Sequence, residues 1–207
     1  MDSNDAAELI AELHEERAGH EADDRFRNRA ALLIAIIAAI LAIGGLGGGN
    51  ATDDMVANNI KASDSWAFYQ AKNVRQTMYE IAADELKSSL ASGTVPVAGR
   101  AAAGARLKDY EGTIARYDSE PDPEAPNDLL KGEGKKEIMA RAKSHEAAFE
   151  EASARDNNFD LAEVLLQLAL VLGSVAILAL NRWVLGLSAL LGLVGSLLTL
   201  NGFLLLV

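Results

Sequence analysis

AALLIAIIAAILAIGGLGGG, residues Ala30 to Gly49, contains no charged side chain. At a rise of ~1.5 Å per residue, a helix of that length spans the ~30 Å hydrocarbon layer of a bilayer. The stretch therefore predicts a transmembrane helix. A cleaved signal peptide would have a shorter apolar run and a shorter, less acidic leader, so a retained signal anchor is expected. Met1 to Arg29 upstream is acidic and polar, and three of its four arginines, Arg25, Arg27 and Arg29, crowd against the apolar run.

A second apolar block, Leu161 to Val207, is too long for one crossing and is interrupted at Asn181-Arg182-Trp183. This predicts a hairpin of two spans, with Arg182 and Trp183 at head-group depth, where a cation and an indole are both well solvated. The chain is thus expected to comprise an acidic tail (1–29), a first span (30–49), a helical extramembrane domain (50–160), and second and third spans (161–180 and 184–207). Lys and Arg set orientation. Arg25, Arg27 and Arg29 flank the first span on one side, and its other flank has nothing basic before Lys61. The N-terminus is expected in the cytoplasm, residues 50–160 outside, and Arg182 back on the cytoplasmic face.

The whole-chain averages conceal this division. Mean hydropathy is +0.08, as in a soluble domain, yet from Asp160 onward the only charged side chains are Asp160, Glu163 and Arg182. The formal net charge of -11 disfavours binding to a nucleic-acid backbone. The absence of cysteine excludes disulfides, thiolate metal sites and cysteine nucleophiles, and fits either redox compartment.

Between the spans the pattern is helical. Ile60, Ala67, Val74 and Ile81 recur every seven residues, with Ala71 and Met78 four residues after two of them, and form one apolar stripe. After a turn at Ser92–Gly99, a second stripe runs through Ala103, Leu107, Tyr110, Ile114 and Tyr117. The proline-rich, acidic Asp118–Asn127 predicts a loop, and Ile138, Ala142, His145, Phe149 and Ala152 form a third stripe. These stripes need partners, either one another or a second subunit, and the heptad interval leaves a coiled coil open.

Small residues recur at alternating spacings of four and three within the spans: Ala31, Ala35, Ala38, Ala42, Gly45 and Gly49 in the first; Ala169, Gly173 and Ala176 in the second; Ser188, Gly192, Gly195, Thr199 and Gly202 in the third. Such faces let helices approach closely, which matters where lipid supplies no hydrophobic drive between them. Ala35, Ala42, Gly45, Gly173, Gly192 and Gly195 are therefore expected at helix-packing or subunit interfaces. Glu163, Gln167 and Asn201 are the candidate intramembrane polar site. Glu163 is expected to sit in the first turn of its span, favoured by the positive end of the helix dipole, and Asn201 to hydrogen-bond to another helix.

Catalytic and metal motifs do not emerge. His14, His20 and His145 lack metal-ligand spacing, and the acidic loop Asp118, Glu120, Asp122, Glu124 lacks the glycine of a calcium loop. Glycines 44 to 49 have no preceding strand and no following Gly-Lys-Ser/Thr. No enzyme, metal or cofactor is expected. The unusual passage is Lys61-Ala-Ser-Asp-Ser-Trp-Ala-Phe-Tyr-Gln-Ala-Lys72, in which Trp66, Phe68 and Tyr69 fall within four positions. One helix face cannot hold all three, so at least one must meet a neighbouring helix, a subunit, a ligand or lipid.

That segment, continuing through Val74-Arg75 to Tyr79, with Ala162-Glu-Val-Leu-Leu-Gln-Leu-Ala and Asn181-Arg182-Trp183, resembles the domain of unknown function 4337 family of bacterial membrane proteins. The resemblance implies an all-helical integral protein of the bacterial inner membrane and supplies no activity or catalytic residues. The expected fold class is all-α with three transmembrane helices. The expected role is that of a self-associating structural or interaction protein in the lipid bilayer, a homo-oligomer with no assigned small-molecule ligand. The alternative is an oligomeric channel or transport accessory with a pore between its spans.

Overall fold

A computed structural model describes residues 3–206; of residues 3–13, 15 and 18 it describes the backbone alone. Met1 and Asp2 of the expected tail and Val207 of the third span lie outside the described residues. Four α-helices follow in order: α1 (Ser3–Ala91), α2 (Arg100–Asp118), α3 (Lys135–Ala179) and α4 (Arg182–Leu204). No strand occurs among the described residues, and three of the helices, α1, α3 and α4, are long and apolar enough to cross a membrane.

The tail, the first span and the first outer helix, expected as separate elements, are one helix. Each glycine inside a helix costs about 1 kcal/mol relative to alanine, but Gly44 to Gly49 do not break α1. The third outer stripe and the second span are likewise one helix, α3. The hairpin turn has a local cause. Leu180 adopts a left-handed φ of 48°, which ends α3, and the Asn181 side chain accepts hydrogen bonds from the amides of Trp183 and Val184, which starts α4.

The chain divides into two compact units, Met1–Asp53 with Ala152–Val207, and Asp54–Glu151. In the first, segments of α1, α3 and α4 pack around Ile37, Leu166 and Ala169, with Leu33, Ile40, Leu41, Leu170 and Leu191 against them. The small face of α4 is buried: Ser188, Gly192, Gly195, Thr199 and Gly202. A Cβ at Gly192 would lie 2.6 Å from Ile37 Cδ1, and one at Gly195 2.7 Å from Leu166 Cγ. Gly173 meets Ile34 in the same way, and the buried Ser188 hydroxyl donates to the Ala169 carbonyl at 2.7 Å. Phe159 fills the slot between Gly47 and Gly202 and meets Phe203 edge-on at 4.9 Å.

The small stripe of the first apolar stretch does not pack within its own chain. Ala31, Ala35, Ala38, Ala42, Gly45 and Gly49 are all exposed, and α1 packs against its own chain through Ala30, Ile37, Gly44 and Gly47 instead. In a segment this rich in alanine and glycine several faces carry the four-three rhythm. The face that wins is the one whose glycines admit Phe159 and Thr199.

The second unit, Asp54–Glu151, is built from segments of α1 and α3 with α2. The stripes of α2 and α3 turn inward: Ile138 and Ala142 are fully buried, and Tyr110 and Tyr117 stack edge-on against Tyr79. The heptad stripe of α1 does not. Ile60, Ala67, Ala71, Val74, Met78 and Ile81 are exposed, and the helix packs through the opposite face, Ala62, Lys72, Gln76 and Ala83.

Candidate functional site

Of the clustered aromatics in α1, Trp66 and Tyr69 turn toward each other, edge to face at 5.6 Å, and the Trp66 indole N–H donates to Glu146 of α3 at 2.7 Å. Phe68 points away, nearly half exposed, with the Lys72 ammonium 6.0 Å from its ring. Trp66 and Tyr69 thus share one contact and Phe68 takes another, since one helix face cannot hold all three. Beside Trp66 lies an open groove of about 520 Å³ bordered by Ser63, Phe149 and Glu150. His145 lies nearby, its Nδ1 3.3 Å from Asn58 Oδ1.

One turn further along α1 is a buried polar cluster that joins Lys72, the end of the aromatic passage, to the acidic loop, a meeting that sequence spacing does not indicate. The Lys72 ammonium donates to the Glu133 carbonyl, lies 3.4 Å from Glu120 Oε2, and sits 5.2 Å from the Tyr117 ring centroid. Glu137, at the start of α3, is 1% exposed; its carboxylate accepts from Ser119 Oγ at 2.6 Å and from the Glu120 amide at 3.1 Å. Gln76 donates to Asp118 Oδ1 at 3.0 Å, and Lys135 stands 3.4 Å from the same oxygen. The cluster ties the loop between α2 and α3 to all three helical segments. Gly132 and Gly134 let it close, because a Cβ at either would collide with the Glu120 backbone and the Glu137 side chain.

Two of these carboxylates have lowered pKa values. The Gln76 amide, aided by Lys135, holds Asp118 below the usual range against a smaller opposing effect of burial. Burial alone would raise Glu137, but the Ser119 hydroxyl and the Glu120 amide together outweigh it. A carboxyl whose folded pKa is depressed contributes stability that is complete above its unfolded value, near 4, and that disappears as pH falls through the folded value. Thermal denaturation of the full-length protein should therefore be flat above about pH 5 and shift to lower temperature in more acidic solution. In an Asp118→Asn/Glu137→Gln protein that acid-dependent shift should shrink. An unchanged pH profile would show that these groups do not carry it.

The polar residues within the apolar helical stretches pair within the chain. Gln167 donates to Glu163 Oε1 at 2.8 Å, and both are exposed on the outside of their unit. Glu163 is not in a first helical turn, because α3 begins at Lys135; the dipole favours it little, and the Gln167 amide is what satisfies it. Asn201 donates to Asn158 Oδ1 of α3 at 3.0 Å and accepts from the Leu206 amide at 2.9 Å. It therefore both joins two helices and caps the end of α4, which stops where Leu205 adopts a left-handed φ of 46°.

A long apolar helix, a closing pair of apolar helices and a helical unit inserted between them define a class of all-helical protein. Within that class, residues 26–205 match the family model described as Domain of unknown function (DUF4337), and the chain belongs to that family. No curated protein and no solved structure matches it.

Proposed function

We propose that this chain is a three-span protein of the bacterial inner membrane that assembles with copies of itself, in a structural or interaction role and not as an enzyme. Its N-terminus is cytoplasmic and its Asp54–Glu151 unit lies outside. One observation carries the reading: the heptad face of α1 in that unit is apolar and turned away from its own chain. Ile60, Val74, Met78 and Ile81 are each more than half exposed. A contiguous apolar stripe on a water-exposed helix marks an interaction surface, and a seven-residue interval suits a second helix of the same kind. The exposed small face Ala35, Ala42 and Gly45 supplies a close-approach surface within the membrane. Glu163, Gln167, Asn158 and Asn201 bond in pairs, which removes the main reason to line a pore with them.

The test is the mass of the detergent-solubilised protein by light scattering. The unaltered chain should exceed its 21.9 kDa monomer, and Val74→Asp/Met78→Asp should reduce it to a monomer of unchanged helicity, since neither side chain packs inside. A monomer across a wide concentration range for the unaltered chain would overturn the reading.

A further inference from the structure

We propose that the unit containing the three apolar helices holds the phosphate of an anionic phospholipid between Arg25, Arg29 and Arg182. These arginines come from helix segments far apart in sequence, the run of α1 before its apolar stretch and the first residue of α4. They border one groove of about 520 Å³, walled on its apolar side by Phe26 and Leu185. Arg25 is engaged by Glu21 at 3.0 Å, and Arg27 turns to Asp24. Arg29 and Arg182 have no carboxylate within ion-pair distance among the described residues. Two or three guanidinium groups gathered around one groove repel each other unless an anion joins them. Arginine suits a phosphodiester, because its planar fork of donors matches two phosphate oxygens at once. The positive end of the α4 dipole adds to the field.

Depth in the membrane distinguishes a lipid from a soluble phosphate. Arg29 immediately precedes Ala30, the fully buried first residue of the apolar run, and Arg182 interrupts the two apolar segments of the hairpin. Trp183 beside it is 90% exposed, as an indole at the head-group layer would be. Phe26 and Leu185 would lie against the glycerol and the first acyl carbons, a contact that a free anion cannot use. Basic pockets at the ends of membrane helices bind acidic head groups by this combination of charge and apolar wall. The inference rests on membrane insertion of the apolar helices, not on self-association.

Full-length protein, delipidated in detergent, would be titrated by native mass spectrometry with phosphatidylglycerol, with phosphatidylcholine of the same acyl chains, and with inorganic phosphate. Phosphatidylglycerol should be retained about tenfold better than phosphatidylcholine, Arg29→Gln/Arg182→Gln should abolish that preference, and Arg29→Lys/Arg182→Lys, which keeps the charge but loses the two-donor fork, should keep only part of it. Equal retention of the two lipids, or an undiminished preference in the glutamine protein, overturns the proposal. Displacement of phosphatidylglycerol by equimolar inorganic phosphate overturns the lipid assignment in favour of a free-anion site. Should the glutamine protein not fold, the unaltered protein decides: its preference must fall as salt rises from about 0.05 to 0.5 M, and a salt-independent preference refutes the site. Alkaline extraction separates the two readings, since release of the protein from membranes would defeat insertion itself, whereas retention without lipid preference defeats only this site.

Discussion

Glu137→Ala is expected to destabilise the Asp54–Glu151 unit by ~3 kcal/mol and to release the loop between α2 and α3. Two donors converge on this carboxylate, the Ser119 hydroxyl and the Glu120 amide, in a site with almost no access to water. Alanine leaves both unpaired and opens a cavity beneath Gly132 and Gly134, so the loss is that of two unsatisfied groups plus lost packing. The effect extends to Lys72, whose two oxygen partners, the Glu120 carboxylate and the Glu133 carbonyl, belong to the same loop. Glu137→Gln should cost well under half as much, because its amide oxygen can still accept from the Glu120 N–H while its NH₂ donates to the Ser119 hydroxyl, which rotates to accept. The chain has two tryptophans, Trp66 in this unit and Trp183 in the other. In a Trp183→Phe background, denaturation followed by Trp66 fluorescence reports this unit alone. A change below ~0.5 kcal/mol would place Glu137 among ordinary surface positions and contradict the geometry.

The sequence reveals such a cluster poorly, for a physical reason. Lys72, Gln76 and Glu137 look like solvated polar groups on helices, because what buries them is a loop and a chain reversal tens of residues away. Local periodicity carries no trace of that. The long apolar helices, by contrast, are legible because exclusion of charge over twenty residues is a local property with few other causes. Trp66, Phe68 and Tyr69 stand out by density alone, and helical geometry requires that they not share one face, as the turn of Phe68 away from the Trp66–Tyr69 pair shows. The small face of α4 is readable because five of its glycines and hydroxyls fall along one line of a leucine-rich helix. That of α1 was not, since alanine and glycine surround the helix there and periodicity cannot choose among faces. The heptad stripe was real as a pattern, but a stripe says that a face is apolar without saying what covers it.

The difference between those two small faces makes the second large effect. Gly192→Leu/Gly195→Leu should lower the thermal midpoint of the full-length protein by ~10 °C, from a loss of ~4 kcal/mol in packing. At Gly192 the first added carbon already overlaps Ile37, and at Gly195 it overlaps Leu166 and comes within 3.2 Å of the Ala162 carbonyl. Ile37 and Leu166 form the centre of this unit's core, so neither side chain can give way without reopening it. Gly45→Leu adds the same side chain to another apolar helix, yet nothing lies within 4 Å of the position. Its thermal midpoint should stay within a few degrees of the unaltered protein, while its mass by light scattering should fall if α1 meets a second copy on that face. The pair separates folding from assembly with one residue type. A fall for Gly45→Leu as large as that for the double substitution, in a protein already monomeric, would mean that Ala35, Ala42 and Gly45 pack within the chain.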